Sequence, residues 1–245
     1  MQTISAEQAV FTSSDRGSTH GYQLVSKSAG IDRELSQELC RWSPTHSPSL
    51  RGDDWTLNCF PLLGQRLGVA RTTLGGPEYS DRGGMQVVTL ILVIETSQLE
   101  HYEFNPVTLA RTALAMGLLR LPLDLDSEQP STIVLPAHPL LGGTCFANQT
   151  QSFDRDDWLD HVTTSLDQGC RVAVIGAIDP VEAASEVINH LPIHARKKLS
   201  FTTGLDPSLQ RPFQLQFFAS TNLARQRALD SQNIRCLRVP VEKLV

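Results

Sequence analysis

The sequence predicts an α+β protein. A mostly antiparallel sheet domain with helices is expected over residues 1–150, followed by a smaller α/β domain with a mixed sheet over residues 151–245. Three observations carry this reading. The first half is a series of β-prone runs separated by turn residues, with 86–94 (QVVTLILVI) the longest. The second half alternates helical periodicity with short, continuous apolar runs such as 171–176 (RVAVIG), the pattern of strands covered on both faces. Between them, residues 122–150 intersperse Pro, Ser and Asp with little periodicity, which puts the boundary near Gln151. That stretch is neither Gly/Ser-rich nor highly charged, so the two domains are expected to pack rigidly.

Residues 9–12 and 21–25 read as strands. Asp32 is placed to cap a helix in which Ile31, Leu35, Leu39 and Trp42 recur at threes and fours, and Ser43-Pro44 ends it. Residues 55–62 set Trp55, Leu57 and Cys59 against Thr56 and Asn58, the alternation of a half-buried strand. Leu63-Gly64-Gln65 then fits a hairpin connection into 66–72. A glycine-dense loop over 75–84 precedes the apolar strand 86–94. Ser97 is placed to cap a short helix running to Phe104. Asn105-Pro106 opens another, striped by Val107, Ala110, Leu114 and Leu118, and Gly117 stops it. A short strand is expected at 132–135. Beyond the boundary come a helix over 153–168 stopping at Gly169, a strand at 171–176, and a helix opened by Asp179-Pro180. Strands at 199–203 and 213–219, a helix at 221–229 and a strand at 234–239 complete the series.

Composition narrows the function. With a formal net charge of -5 and no basic run beyond Arg196-Lys197-Lys198, the chain lacks the basic face of a nucleic-acid binder. The five cysteines (Cys40, Cys59, Cys145, Cys170, Cys236) are scattered and odd in number, which suits free thiols in a reducing cytosol. The first twenty residues show no basic start followed by an apolar stretch, and the longest apolar run is too short to cross a bilayer. A cytoplasmic protein with no membrane and no nucleic-acid partner is expected.

The usual catalytic signatures are missing. No G-x-x-x-x-G-K-[ST], G-x-G-x-x-G, H-E-x-x-H or G-x-S-x-G occurs, and no cofactor or metal is expected. Gly176 and Asp179 lie between a strand and a helix, where α/β proteins bind phosphates, so they form a minor nucleotide-binding candidate. Against this, one glycine is few and Asp179 is itself anionic; an ordinary capped turn is the simpler reading. His190 and His194 are four apart, but Pro192 between them breaks helical spacing and no third ligand is recognisable. Cys59 with His20 or His46 is a conceivable nucleophile pair, yet Cys59 shares its alternating face with Leu57 and Trp55, as a core thiol would.

The tetrapeptide S-D-R-G remains. It occurs at 14–17 and at 80–83, each time leading into a β-prone run. Each reads as a turn presenting an arginine beside a glycine at the mouth of a strand, where a guanidinium can fork onto a carboxylate or phosphate. Arg16, Tyr79, Arg82, Gly83 and Gly84 are therefore the candidate partner- or anion-binding residues. The structural alternative is an ion pair that closes the loop, from Arg82 to Asp81, Glu78 or Asp15.

The order of these pieces resembles a known family. Phe11-Thr12-Ser13 with Arg16-Gly17, Gly21-Tyr22-Gln23-Leu24-Val25, Ser28-Ala29-Gly30-Ile31-Asp32, and Glu78-Tyr79-Ser80 with Arg82-Gly83-Gly84 are similar to the N-terminal region of bacterial GTPase-associated proteins. Trp158-Leu159, 171–177, Leu191-Pro192, 199–205 and Arg211-Pro212-Phe213 resemble that family's middle region. The resemblance implies an accessory component encoded beside a GTPase in a signalling or conflict system, with no agreed reaction and no agreed catalytic residues. It also implies a further C-terminal region beyond the length present here. The function expected on these grounds is a non-enzymatic adaptor acting through protein–protein contact, with a GTPase as partner. The alternatives are a regulator that supplies Arg82 or Arg16 to a GTPase active site, and a small-ligand or nucleotide sensor.

Overall fold

The computed structural model describes residues 2–15, 20–47, 50–52, 54–78, 84–121, 130–139, 155–177 and 179–239. The class is α+β, built on a ten-stranded, mostly antiparallel sheet. The elements in chain order are β1 (Thr3–Ser14), β2 (Gly21–Lys27), α1 (Arg33–Trp42), β3 (Trp55–Leu62), β4 (Arg66–Pro77) and β5 (Met85–Glu95). A 3-10 helix (Thr96–Tyr102), α2 (Pro106–Ala115), β6 (Ile133–Pro136), α3 (Arg155–Asp167), β7 (Val172–Ile175) and α4 (Pro180–His190) follow. The chain continues through α5 (Ile193–Arg196), β8 (Phe201–Thr202), β9 (Leu215–Phe218), α6 (Leu223–Ser231) and β10 (Arg235–Arg238). The strand order is β10-β7-β9-β8-β3-β4-β5-β1-β2, and β6 pairs with the start of β1.

Local signals act where expected. Asp32 Oδ1 accepts from the Leu35 amide at 2.8 Å and starts α1. Asn105 Oδ1 accepts from Val107 N at 3.0 Å and starts α2, with Pro106 in the first turn. Gln65, in the tight β3–β4 connection, takes a φ of 57° beside Gly64 at 70°, the backbone that matches the strand twist of a hairpin. Two details differ from the sequence reading. The helix after β5 is a 3-10 helix starting from Glu95 as its cap, not from Ser97. Gly75, Gly76 and Pro77 extend β4 instead of belonging to a loop. The boundary near Gln151 lies outside the described residues, between β6 and α3.

One face of the sheet packs on the 3-10 helix, α2, α3 and α4. Leu57, Cys59, Val69, Val88, Leu90 and Leu92 meet Val107, Leu109, Val162, Val187 and Ile188 there. Val172, Val174, Leu215 and Phe217 from the second half join that same cluster. On the opposite face, α1 covers Phe60, Ala70 and Ile91, with Trp42 stacked on Phe60 at 5.0 Å. Gly68 stands opposite Phe60, and a Cβ there would enter the Phe60 ring, so the stack requires glycine. α6 covers a smaller cluster of Ala173, Ile175, Phe218 and Leu229.

β3 is buried on both faces, not half-buried as its alternation predicts. Thr56 and Asn58 are 3% and 2% exposed. The reason is a polar row across four strands. The Thr72 and Thr89 hydroxyls meet at 3.1 Å, Asn58 Nδ2 donates to Thr72 Oγ1 at 3.0 Å, and Thr202 Oγ1 donates to Asn58 Oδ1 at 2.6 Å. Polar side chains are tolerated in such a core when they satisfy one another. Leu57 N donating to Thr203 Oγ1 (2.8 Å) and Thr203 N to Leu57 O (3.0 Å) extend this β3–β8 junction.

Replacing Asn58 with Ala removes the acceptor of Thr202 and a donor to Thr72. The expected loss is about 1–3 kcal/mol of unfolding free energy, read from urea denaturation. A change below about 0.5 kcal/mol would show that the row is not a stabilising network.

Candidate partner-binding end of the sheet

The register of three strand pairs decides where the S-D-R-G sequences go. β1 and β2 pair up to Ser14↔Gly21, β4 and β5 up to Pro77↔Met85, and β1 pairs with β5 up to Phe11↔Thr89. The two hairpins are therefore neighbours that turn at the same end of the sheet. Three hydrogen bonds tie them together close to that end. Gln86 Nε2 donates to Ser13 O at 2.7 Å, Thr12 Oγ1 to Val87 O at 2.9 Å, and Val87 N to Tyr22 Oη at 3.1 Å. Ser13 Oγ is buried there without a hydrogen-bond partner among the described residues.

Arg16, Gly17, Tyr79, Ser80, Arg82 and Gly83 lie outside the described residues. Gly84 is described: its carbonyl accepts from Glu78 N at 2.9 Å, and a Cβ on it would meet Glu78 Oε2 at 3.3 Å. Gly21, which restarts the chain into β2, has a φ of +117°, a backbone that favours glycine. Of the pairings considered for Arg82, Asp15 and Glu78 flank the two turns at this end.

The other sequence candidates are dispersed. Gly176 follows β7 with a φ of +95°, and its amide donates to Phe218 O at 2.8 Å. Asp179 caps α4, accepting from the Val181 and Glu182 amides at 3.0 Å each, so its own carboxylate fills the anion position of that helix start. Cys59 is 1% exposed between Val69 and Phe201, and burial pushes its thiol well above the ordinary value. His20 and His46 are both exposed. His190 Nδ1 contacts Glu186 O at 2.8 Å, whereas His194 Nε2 lies 3.6 Å from Asp167. Among the described residues no group of three or more His, Cys, Asp or Glu is placed to hold a metal ion. Within the same residues no helix is long and apolar enough to cross a membrane.

The sequence reading missed one cluster. Arg71 and Trp55 are diagonal neighbours on β4 and β3, with the guanidinium 4.9 Å from the indole centroid, and Arg120 follows α2 nearby. The hairpin connection at 63–65 held the signal. It pairs Leu62 with Arg66, and counting outward sets Leu57 opposite Arg71, two residues from Trp55 on the same face.

The family model "GTPase-associated protein 1, N-terminal domain type 2" matches residues 5–129, a little over half of the chain. The chain belongs to this GTPase-associated family. The matched residues run from β1 past α2, so they contain both S-D-R-G sequences and all of β2 to β5. The stretch that resembles the family's middle region lies beyond them. Searches of curated proteins and of solved structures return no match.

The burial of Cys59 has a direct chemical readout. In the native protein Cys59 is expected to stay unlabelled by a maleimide under conditions that fully label the exposed Cys170, and to react once urea unfolds the chain. Equal labelling rates in the native state would mean that Cys59 is accessible, and would reopen it as a nucleophile.

Proposed function

We propose that this chain is a non-enzymatic accessory protein of a GTPase-centred system, and that it docks on its GTPase through the sheet end where the β1–β2 and β4–β5 hairpins turn. The observation that carries this reading is the β1–β5 pairing, which makes neighbours of two hairpins whose turns hold the same tetrapeptide. Family membership supplies the class of partner. The side-by-side hairpins give a backbone platform held by strand pairing, so that turn residues can meet a partner surface without first ordering the strands beneath them. Arg16 and Arg82 are the proposed contacts, with Tyr79, Gly83 and Gly84 shaping the second turn. Arginine suits this role because its planar fork pairs with carboxylate and phosphate alike.

The neighbouring turns also favour a finer reading, in which Arg82 or Arg16 enters the partner's active site and offsets charge on the phosphoryl group being transferred. Docking and this regulatory step separate in experiment.

Calorimetry of the full chain against a GTPase encoded beside it, loaded with GDP or with a non-hydrolysable GTP analogue, is expected to show micromolar or tighter binding to at least one form. The R16A/R82A double variant should weaken it about tenfold or more, the cost of losing charge-assisted contacts. Absence of heat with both nucleotide states would overturn the docking proposal. In the same preparation, single-turnover GTP hydrolysis tests the finer reading: a rate increase of orders of magnitude that R82A or R16A abolishes supports it. An unchanged rate removes that reading and leaves docking standing.

A further inference from the structure

The cluster around Arg71 contrasts with the arginines that the fold pairs with carboxylates. Arg225 is held by Asp206 at 2.6 Å, Arg66 by Glu95 at 3.1 Å, and Arg111 by Glu182. Arg71 and Arg120 have no carboxylate partner among the described residues. Arg71 rises from β4 beneath α2, stacks on Trp55, and donates through Nη1 to Leu119 O at 3.0 Å. Its Nε is buried and makes no hydrogen bond among the described residues. Among the described residues Arg120 reaches only the Leu114 carbonyl, at 3.5 Å. Burial, with Arg120 close by, lowers the Arg71 pKa from the ordinary guanidinium value. The last carbonyls of α2 offset part of the two positive charges, but a helix end carries only about half an elementary charge. Two like charges, one of them partly desolvated with an unused donor, form an arrangement that an anion would relieve.

We propose that Arg71 and Arg120, beside Trp55, form a binding site for a phosphate group in its dianionic state. Charge selects this ligand class. Two guanidinia without a carboxylate partner among the described residues match the roughly -1.5 to -2 charge of a phosphate monoester at neutral pH, whereas a single carboxylate ligand would neutralise one of them. Geometry agrees with charge, because the Arg71 and Arg120 guanidinia come from two chain segments, β4 and the residues after α2, and a tetrahedral oxyanion accepts from several directions. The site stands apart from the hairpin turns and does not depend on GTPase docking. Its phosphate can come from free phosphate or from a nucleotide.

Calorimetric titration of the full chain with inorganic phosphate, and separately with GDP, distinguishes these sources, with sodium chloride at matched ionic strength as the control. Saturable binding is expected, weakened about tenfold or more in R71Q and in R120Q and unchanged in R66Q, as loss of one charge-assisted donor group implies. Arg120 is exposed, so R120Q keeps the fold and keeps the test decisive if R71Q unfolds. Tighter binding of GDP assigns the site to a nucleotide, and equal or weaker binding to free phosphate; both support the proposal. Absence of saturable binding to either probe, or binding that R120Q leaves unchanged, overturns it.

Discussion

Contact between β3 and β8 is the constraint on which the rest of the architecture depends. β8 is two residues long, so its ladder offers few backbone bonds to either neighbour. Side chains supply what the ladder lacks: Asn58 bridges Thr202 on one side and Thr72 on the other, while Thr203 exchanges bonds with Leu57. Through this junction the antiparallel strands β3, β4, β5, β1 and β2 and the parallel set β8, β9, β7 and β10 become one sheet. Its burial makes the row costly to break, because each polar atom exposed to an apolar surround loses both its partner and water.

A second tie lies on the helical side. Asn105 uses its oxygen to cap α2 and its amide nitrogen to reach Asn189 at 2.8 Å and Ser185 at 3.2 Å on α4. Arg111 and Glu182 pair across the same two helices, and Arg196 donates to carbonyls of Glu103, Asn189 and Leu191. With the apolar cluster shared by α2, α3 and α4, these contacts hold both halves of the sheet against common helices. The consequence for function is stiffness. The hairpin end and the Arg71 cluster both rest on β4, whose two neighbours pair along most of its length.

What the sequence made legible follows from the range of each interaction. Helix caps at Asp32, Asn105 and Asp179 are decided within three residues, and all of them form where the residues suggest. The α+β class and the apolar strand at β5 follow from periodicity over a single segment. The burial of Asn58 was not legible, because its partner Thr202 is more than a hundred residues away in the chain. Pairing of β6 with the start of β1 has the same origin. At the candidate site, each S-D-R-G sequence announced a turn at a strand mouth, but neighbouring placement of the two turns depends on β1 pairing with β5, a non-local choice. Arg71, Trp55 and Arg120 escaped notice because two strands and a helix end bring them together.

Native-state hydrogen exchange of the full chain tests most directly the claim that the β3–β8 junction unites the sheet. The account expects the amides of Thr203, β7 and β9 to exchange only through the opening that also releases β4 and β5, with one shared free energy and one shared denaturant dependence. Exchange of β7 to β10 through a lower-energy opening, while β3 to β5 stay protected, would contradict it: the two halves would then be separate units in contact.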